Sequence, residues 1–144
     1  MHRKGYIHRD IKSGNILIGE PGSLIVNGVK RKYEQVLKVA DFGLSRTLVV
    51  PPKPMTKEIS TLYWRAPEVM LGNMRYTQAV DMWSIGIVIH EMLKGSLPFE
   101  GTTELEVLIN IFRKKGLPSD KDAVFFRRSP VLKLLAAPLP KLTT

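Results

Sequence analysis

The chain has no cysteine among its 144 residues, which excludes disulfide scaffolds, thiolate metal sites and cysteine nucleophiles. Its three histidines, at positions 2, 8 and 90, are too scattered to predict a zinc site. The longest apolar stretch, residues 79–93, is interrupted by charged and polar side chains, and no apolar run follows residues 1–4 as in a signal peptide. These absences predict an intracellular, soluble protein of the nucleus or the cytoplasm, with no membrane partner.

Positive charge is abundant but unevenly spread. The formal net charge is +9, divided as +5 over residues 1–40, −2 over 41–110 and +6 over 111–144. A nucleic-acid groove would interleave cations with aromatic side chains within one folded unit, and this distribution does not. We therefore expect no nucleic-acid partner. With 44% apolar residues, the chain is long enough to bury a core of its own.

The first forty residues carry short β patterns. Apolar runs bounded by turn residues at 15–18 and 36–40 predict two strands. Between them, Asn27-Gly28 lies between apolar flanks, which favours a type I′ hairpin turn because both central residues need a positive φ. Residues 15–40 are therefore predicted to form a small β ribbon.

The second half of the chain carries helical patterns. Residues 77–93 are apolar around the whole helical circumference, which predicts a helix buried on all sides. Thr103 and Glu106 have the spacing of a capping box, so a second, amphipathic helix is predicted after them. Its apolar stripe consists of Leu105, Leu108, Ile109 and Phe112.

Two other segments are predicted to be irregular. Residues 41–60 contain three prolines and no sustained period, which indicates a long loop. The pattern decays beyond Asp122. We therefore predict one domain over residues 1–122 and a basic, Leu/Pro-rich, disordered tail over 123–144.

The first motif with chemical content is residues 8–15, HRDIKSGN. This segment resembles the catalytic loop of protein kinases. Phosphoryl transfer needs a carboxylate for the proton of the substrate hydroxyl, a cation for the phosphoryl charge and an oxygen ligand for a metal ion. The resemblance implies that Asp10, Lys12 and Asn15 supply these three groups. Taken alone, three polar residues so close together are equally typical of a capped turn.

Three further motifs follow in order. Residues 41–43 read DFG directly after a predicted strand, residues 66–68 read APE, and residues 81–86 read DMWSIG on the predicted buried helix. Asp81 in the last motif is a predicted buried charge that needs hydrogen-bond donors. Four such motifs in this order do not arise by chance.

Together these motifs resemble those of the eukaryotic protein kinases. The resemblance implies an α+β fold, the mainly helical C-terminal lobe of a protein-kinase-like fold with a small β ribbon, here incomplete. It also implies ATP-dependent transfer of phosphate to serine or threonine of protein substrates, since Lys12 in the catalytic loop is similar to the serine/threonine class. Residues 41–46, 69–72 and 108–118 are most similar to cyclin-dependent kinases. A cyclin-like activator is therefore an expected partner.

The resemblance assigns a role to each matching position of the ATP and metal site. Asp10 corresponds to the catalytic base, and Lys12 contacts the transferred phosphoryl group. Asn15 and Asp41 correspond to the ligands of Mg²⁺. Leu17 and Ala40 would lie beneath the adenine of ATP.

Other matches concern regulation, substrate and structure. Thr56 resembles the activating phosphothreonine of cyclin-dependent kinases, with Arg9 and Arg46 as its partners. Thr61 and Arg65 belong to the substrate pocket, and Arg65 resembles the arginine that marks the group of cyclin-dependent, mitogen-activated and glycogen-synthase kinases. Two structural positions, in the APE motif and on the predicted buried helix, are Glu68 and Asp81.

A second hypothesis is that the chain is a catalytically inactive kinase remnant or an interaction module. No glycine-rich loop, strand lysine or helix glutamate precedes residue 5, so the chain alone is expected to be inactive. The insertion at 19–35 is longer than the usual strand connection of the family, and no function is predicted for it.

Overall fold

The computed structural model describes residues 1–47, 54–55 and 60–117. The helices and strands, in chain order, are β1 (Tyr6–Ile7), β2 (Ile16–Gly19), β3 (Gly22–Val26), β4 (Val29–Tyr33), β5 (Val36–Val39), β6 (Arg46–Thr47), α1 (Pro67–Met70), α2 (Ala79–Lys94) and α3 (Glu104–Lys115). Short 3₁₀ turns span His2–Lys4, Ser13–Asn15 and Leu62–Trp64. The strands form three antiparallel pairs, β1 with β6, β2 with β5 and β3 with β4.

The predicted β ribbon is present and consists of two strand pairs in succession. β2 pairs with β5 from Ile16 opposite Val39 to Gly19 opposite Val36. The β3–β4 hairpin continues beyond them. Its turn is the predicted type I′, since Asn27 and Gly28 have φ values of 52° and 78°.

Helix α2 begins two residues later and ends one residue later than predicted, and it is less buried than its sequence predicts. It ends at Gly95, whose φ of 67° gives the left-handed cap that glycine favours. The prediction of burial on all sides is wrong, because Met92 and Leu93 are 65% and 77% exposed, and Met82 and Ile89 are also exposed. The two apolar clusters of the core pack against one side of the helix only, so the other side remains in contact with solvent.

The core consists of two clusters that meet at Trp83. One joins α1 and α3 through Met70, Leu71, Val107, Leu108, Ile111 and Phe112, together with Ile87 and Phe99. The other contains Ile7, Ala66, Val69, Tyr76 and Val80. Trp83 packs against both clusters and stacks on Phe99 with ring centroids 5.9 Å apart. The second cluster is joined directly to the predicted catalytic loop, because it contains Ile7, the residue immediately before that loop.

The predicted capping box begins α3. The Thr103 hydroxyl accepts a hydrogen bond from the backbone N–H of Glu106 at 3.2 Å, and the Glu106 carboxylate accepts from the N–H of Thr102 at 2.7 Å. The predicted apolar stripe is right at Leu108 and Phe112, but Leu105 is exposed. The remaining buried positions of the helix are Val107 and Ile111.

Within the described ranges, no helix is long and apolar enough to cross a membrane. The predicted boundary at residue 122, the tail 123–144 and most of the predicted loop after residue 47 lie outside the described residues. Those predictions stay predictions.

Candidate active site

Asp81 of α2 fixes the backbone of residues 8–15. Its two carboxylate oxygens accept hydrogen bonds from the N–H groups of His8 and Arg9, each at 2.8 Å. A third hydrogen bond joins Asp81 to the ring of His2 at 2.6 Å. Arg9 has a φ of 74°, a strained value for a residue with a side chain, and these bonds hold it there. Asp81 is 1% exposed, so the predicted buried charge is fully supplied with donors.

The three predicted catalytic side chains converge. Asp10 Oδ2 lies 3.1 Å from Lys12 Nζ and accepts a hydrogen bond from Asn15 Nδ2, also at 3.1 Å. Lys12 Nζ also donates to the hydroxyl of Thr61 at 3.2 Å. Lys12 therefore joins the predicted base to the predicted substrate pocket, although Thr61 lies 49 residues further along the chain.

Asn15 and Asp41 have the chemistry of Mg²⁺ ligands. The side-chain amide of Asn15 donates two hydrogen bonds to Asp10, one to its backbone carbonyl and one to its carboxylate. Asn15 Oδ1 accepts no hydrogen bond from the described residues. The backbone carbonyl of Asn15 accepts from the N–H of Ala40 at 2.8 Å, which brings the DFG segment beside the catalytic loop. Amide and carboxylate oxygens are the hard ligands that Mg²⁺ prefers. The residues therefore fit the ion.

The ligand set for Mg²⁺ is small. No group of three His, Cys, Asp or Glu side chains in the described part of the chain could hold a metal by itself. Asp41 has a φ of 61°, and its carboxylate accepts from the N–H of Gly43 at 3.1 Å. A Mg²⁺ ion held by one or two protein groups completes its coordination with phosphate oxygens and water. This arrangement suits an ion that arrives with a nucleotide.

His8 connects the catalytic loop to the predicted adenine floor. The N–H of Asp10 donates to His8 Nδ1 at 3.3 Å, so Nε2 carries the proton and donates to the carbonyl of Ala40 at 3.0 Å. Ala40 is half-buried, and Leu17 on β2 is 54% exposed. Leu17 lies on β2 and Ala40 directly follows β5, and Leu17 presents apolar surface that a flat ring could cover.

Thr56, the predicted phosphosite, lies outside the described residues. Its predicted partners lie close to each other, because β1 pairs with β6 and places Ile7 opposite Arg46. Burial lowers the pKa of Arg9, and the nearby charge of Arg46 lowers it further. Tyr76 and Asp81 act in the opposite direction and raise it. Two guanidinium groups that repel each other form a site that favours an anion.

Arg65 has two partners that the sequence did not indicate. It donates to the Glu104 carboxylate at 2.9 Å and to the carbonyl of Ser60 at 3.0 Å. Ser60 has a φ of 61°, a left-handed conformation that is uncommon for serine. No sequence signal marks Glu104, because it stands in the first turn of a helix, where an acid is common in any case.

Glu68 lies beside the core at the start of α1. Burial raises the pKa of its carboxyl group. None of the basic residues in the described ranges forms an ion pair with it. Its predicted structural role stays a prediction.

His2 and Ser84 were missed by sequence reasoning. The Ser84 hydroxyl donates to the carbonyl of Trp64 at 2.7 Å, which ties α2 to the segment that carries Arg65. The DMWSIG motif contains Ser84, so the motif could have pointed to this contact. His2 has no such signal, since it precedes every recognised motif.

The family model of the protein kinase domain matches residues 1–132 of this chain. The chain therefore belongs to the protein kinase family, and the fold class predicted from its motifs is confirmed. Its relatives include cyclin-dependent kinases, so the predicted resemblance to that group is confirmed as well.

The chain is 42% identical over 120 residues to the cyclin-dependent kinase B1-1 of Arabidopsis thaliana, an alignment of 83% of this chain and 35% of that protein. It is 40% identical over 121 residues to the cell division control protein 2 homolog 3 of Trypanosoma brucei brucei, with 84% and 35% covered. The chain spans about a third of the length of these two relatives. Among solved structures, the yeast RNA Pol II CTD kinase CTDK-1 complex contains a similar chain, with a TM-score of 0.74, 31% identity, and 99% of this chain and 41% of that chain covered.

Proposed function

We propose that these residues form the catalytic segment of a protein serine/threonine kinase, which transfers phosphate from ATP to protein hydroxyl groups. The observation that carries this proposal is the convergence of Asp10, Lys12 and Asn15 with Thr61. A capped turn would explain three neighbouring polar residues, but it would not bring in a lysine contact from a threonine 49 positions away.

Each side chain has a distinct task in the proposed reaction. Asp10 orients the substrate hydroxyl and accepts its proton, and Lys12 offsets the negative charge of the phosphoryl group in transfer. Asn15 and Asp41 would hold Mg²⁺, which would offset the negative charge of the ATP phosphates. Asp10 and Asn15 are buried, so their relative positions are fixed before the substrate arrives.

We further propose that the substrate pocket favours proline after the phosphorylated residue. The carbonyl of Ser60 already accepts from the charged guanidinium of Arg65, so it is a weaker acceptor for a backbone N–H of a bound peptide. A residue with an N–H at that place would donate to this weaker acceptor, whereas proline has no N–H. Arg65→Lys, which lacks the forked donor, should reduce the preference for proline over alanine in a peptide substrate.

A cyclin-like activator is part of the proposal. The Arabidopsis thaliana relative named above is called a cyclin-dependent kinase, which supports this class of partner. Phosphate on Thr56 would join the Arg9 and Arg46 pair to the activation segment and order it for peptide binding. Limited proteolysis of residues 49–58, with and without phosphate on Thr56, tests this step. Equal cleavage rates, or protection that survives replacement of both arginines by alanine, would contradict it.

Nucleotide binding tests the proposed site most directly. Mg-ATP should raise the melting temperature of the chain, because a ligand that binds only the folded state stabilises it. Asp41→Asn should abolish this shift, since it removes a charged metal ligand, and Asp10→Asn should retain it. Glu20→Gln, a charge change at an exposed position, serves as the control.

Phosphoryl transfer tests the role of Asp10. The 144-residue chain alone should show no phosphotransfer above background, so this test uses a form of the protein with a complete kinase domain. In a kinase assay of that form with a serine peptide, Asp10→Asn should reduce turnover by orders of magnitude while Mg-ATP affinity stays nearly unchanged. Equal effects of Asp10→Asn and Asp41→Asn on both quantities would contradict the proposed division of roles.

The alternative is an interaction module without turnover. The exposure of Leu17 favours it, because a nucleotide on this floor would be covered from one side only by the described residues. Absence of any Mg-ATP shift in the unmodified chain would support this alternative over the enzyme.

A further inference from the structure

The insertion between β2 and β5 carries the most exposed apolar surface of the β structure. Every residue of β3 is exposed, as are the first four of β4. Ile25 is 75% exposed, and the other exposed aliphatic side chains are Leu24, Val26 and Val29. An isolated two-stranded hairpin is only marginally stable in water. Apolar side chains that stabilise nothing within the described fold point to a role outside it.

The three consecutive cations of β4 lie opposite residues of β3 in the hairpin. The register places Ile25 opposite Lys30 and Ser23 opposite Lys32, so these four share one face. Leu24 opposes Arg31 on the other face. Each face of the hairpin therefore presents an aliphatic side chain beside a positive charge.

Within the hairpin itself no acid balances these charges, and Glu34 follows directly after it. Residues 22–33 contain three basic residues and no aspartate or glutamate. Within the part of the chain that the structure describes, none of the three forms an ion pair. A groove of about 710 Å³ is lined by Ser23, Lys30 and Lys32 of this face, and also by Tyr33 and Glu34. The electrostatic potential around the hairpin is thus positive, and its exposed side chains are accessible to a partner.

We propose that the β3–β4 hairpin is a docking surface for an extended acidic segment of a partner protein, in which carboxylates alternate with apolar side chains. Side chains of an extended chain alternate between two faces. Lys30 and Lys32 share one face of the hairpin, and Leu24, Val26 and Val29 lie on the other, so an added strand could place its carboxylates beside the two lysines and its apolar side chains beside the aliphatic ones. β3 and β4 pair only with each other among the described strands, so each also has an edge open to a further strand. This proposal is independent of the kinase activity.

Two alternative roles of the hairpin involve the same residues. Single-stranded nucleic acid would use cations together with several aromatic stacking platforms, but residues 22–33 contain one aromatic side chain, Tyr33, and four exposed aliphatic ones. Lysines on an open strand edge also protect against aggregation without binding anything. In that case either sign of charge would serve, and reversal of the charge would have no effect on any ligand.

The test uses the whole 144-residue chain and labelled peptides of about nine residues, long enough to extend past β4. Fluorescence anisotropy measures binding of a peptide that alternates glutamate with valine. Comparison probes alternate lysine with valine or glutamate with serine, and an oligouridine of equal length represents RNA. We expect the glutamate–valine peptide to bind most tightly and to weaken as salt rises.

Matched variants locate the binding site. Lys30→Glu combined with Lys32→Glu should weaken binding by about tenfold or more, because it places like charges opposite each other. Lys94→Glu combined with Lys115→Glu makes the same change of net charge at exposed positions elsewhere and should have little effect. Ile25→Ser should weaken the glutamate–valine peptide and leave the weaker glutamate–serine peptide unchanged. Circular dichroism and the melting temperature verify that each variant is folded.

Several results would overturn the proposal. These are no binding of the glutamate–valine peptide, tighter binding of the oligouridine, or equal loss in both pairs of charge variants. Self-association of the chain in sedimentation, abolished by Ile25→Ser, would also overturn it, since the occupant would then be a second copy.

Discussion

The catalytic loop and the β3–β4 hairpin are held in place in opposite ways. His8 and Asp81 are essentially inaccessible, and long-range hydrogen bonds define the backbone between β1 and β2. The hairpin depends on its own ladder and on one turn, and Ile25 at its centre is 75% exposed. The comparison shows that the predicted chemistry is built on the most buried charge of the described chain, while the insertion is locally determined.

The largest expected effect is at Asp81. Asp81→Asn keeps the shape of the side chain but removes the charge that accepts from His8, Arg9 and His2. Because buried donors would lose a charged acceptor, we expect a loss of about 3 kcal/mol in the free energy of unfolding. Urea unfolding measures it.

The control for Asp81 is Glu20→Gln, which removes an exposed acid between β2 and β3. It should change the unfolding midpoint very little. If the two variants had equal midpoints, the view that the catalytic loop is anchored through α2 would be wrong.

The next effect separates the two regions. Gly28 has a φ of 78°, so Gly28→Val should cost about 1–2 kcal/mol in the turn. We expect the amide NMR signals of residues 22–33 to lose their β dispersion while those of residues 8–15 stay unchanged. Asn27→Gly, which keeps the positive φ, should retain the hairpin. Loss of signals in both regions after Gly28→Val would show that the hairpin is part of the core.

Local signals in the sequence were the most predictive. Asn27-Gly28 specifies its turn, because only a few residues accept two successive positive φ values, and Thr103 with Glu106 specifies the start of α3. The motif at 8–15 likewise predicted which side chains converge, since their spacing in the loop is short.

Long-range geometry could not be predicted in the same way. The apolar circumference of α2 suggested burial on all sides, but exposure depends on which elements pack against it. The partners of Arg65 at Ser60 and Glu104 depend on how α3 approaches the substrate pocket. No local pattern encodes such an approach, and the same holds for the bond between His2 and Asp81.

A smaller effect is expected at the start of α3, in the core region of the comparison. Thr103→Ala removes the hydroxyl that accepts from the N–H of Glu106 and should cost about 1 kcal/mol in the free energy of unfolding. Thr103→Ser keeps the acceptor and should cost much less. Urea unfolding of both variants checks this, and equal losses would mean that the methyl group rather than the cap stabilises the helix.

The smallest effect is a dependence on pH at Glu68. Burial raises the pKa of this carboxyl group in the folded state above its unfolded value. Folding therefore disfavours the ionised form of Glu68. The resulting loss of folding stability is fully present above the pKa of the folded state, and it disappears as the pH falls below the pKa of the unfolded state. Glu68→Gln should stabilise the chain at neutral pH by less than about 1 kcal/mol, and the gain should vanish in acid.

Glu106 provides the opposite sign in the same molecule. Hydrogen bonds from the N–H and hydroxyl of Thr102 lower the pKa of the Glu106 carboxyl group. Its contribution is therefore present above the unfolded pKa and is lost as the pH falls through the folded value. The measurement is the melting temperature of each Gln variant minus that of the unmodified chain, followed from neutral to acidic pH. This difference should be positive at neutral pH for Glu68→Gln and negative for Glu106→Gln. Both differences should approach zero in acid. Curves of the same sign would contradict the assignment of burial to one glutamate and hydrogen bonding to the other.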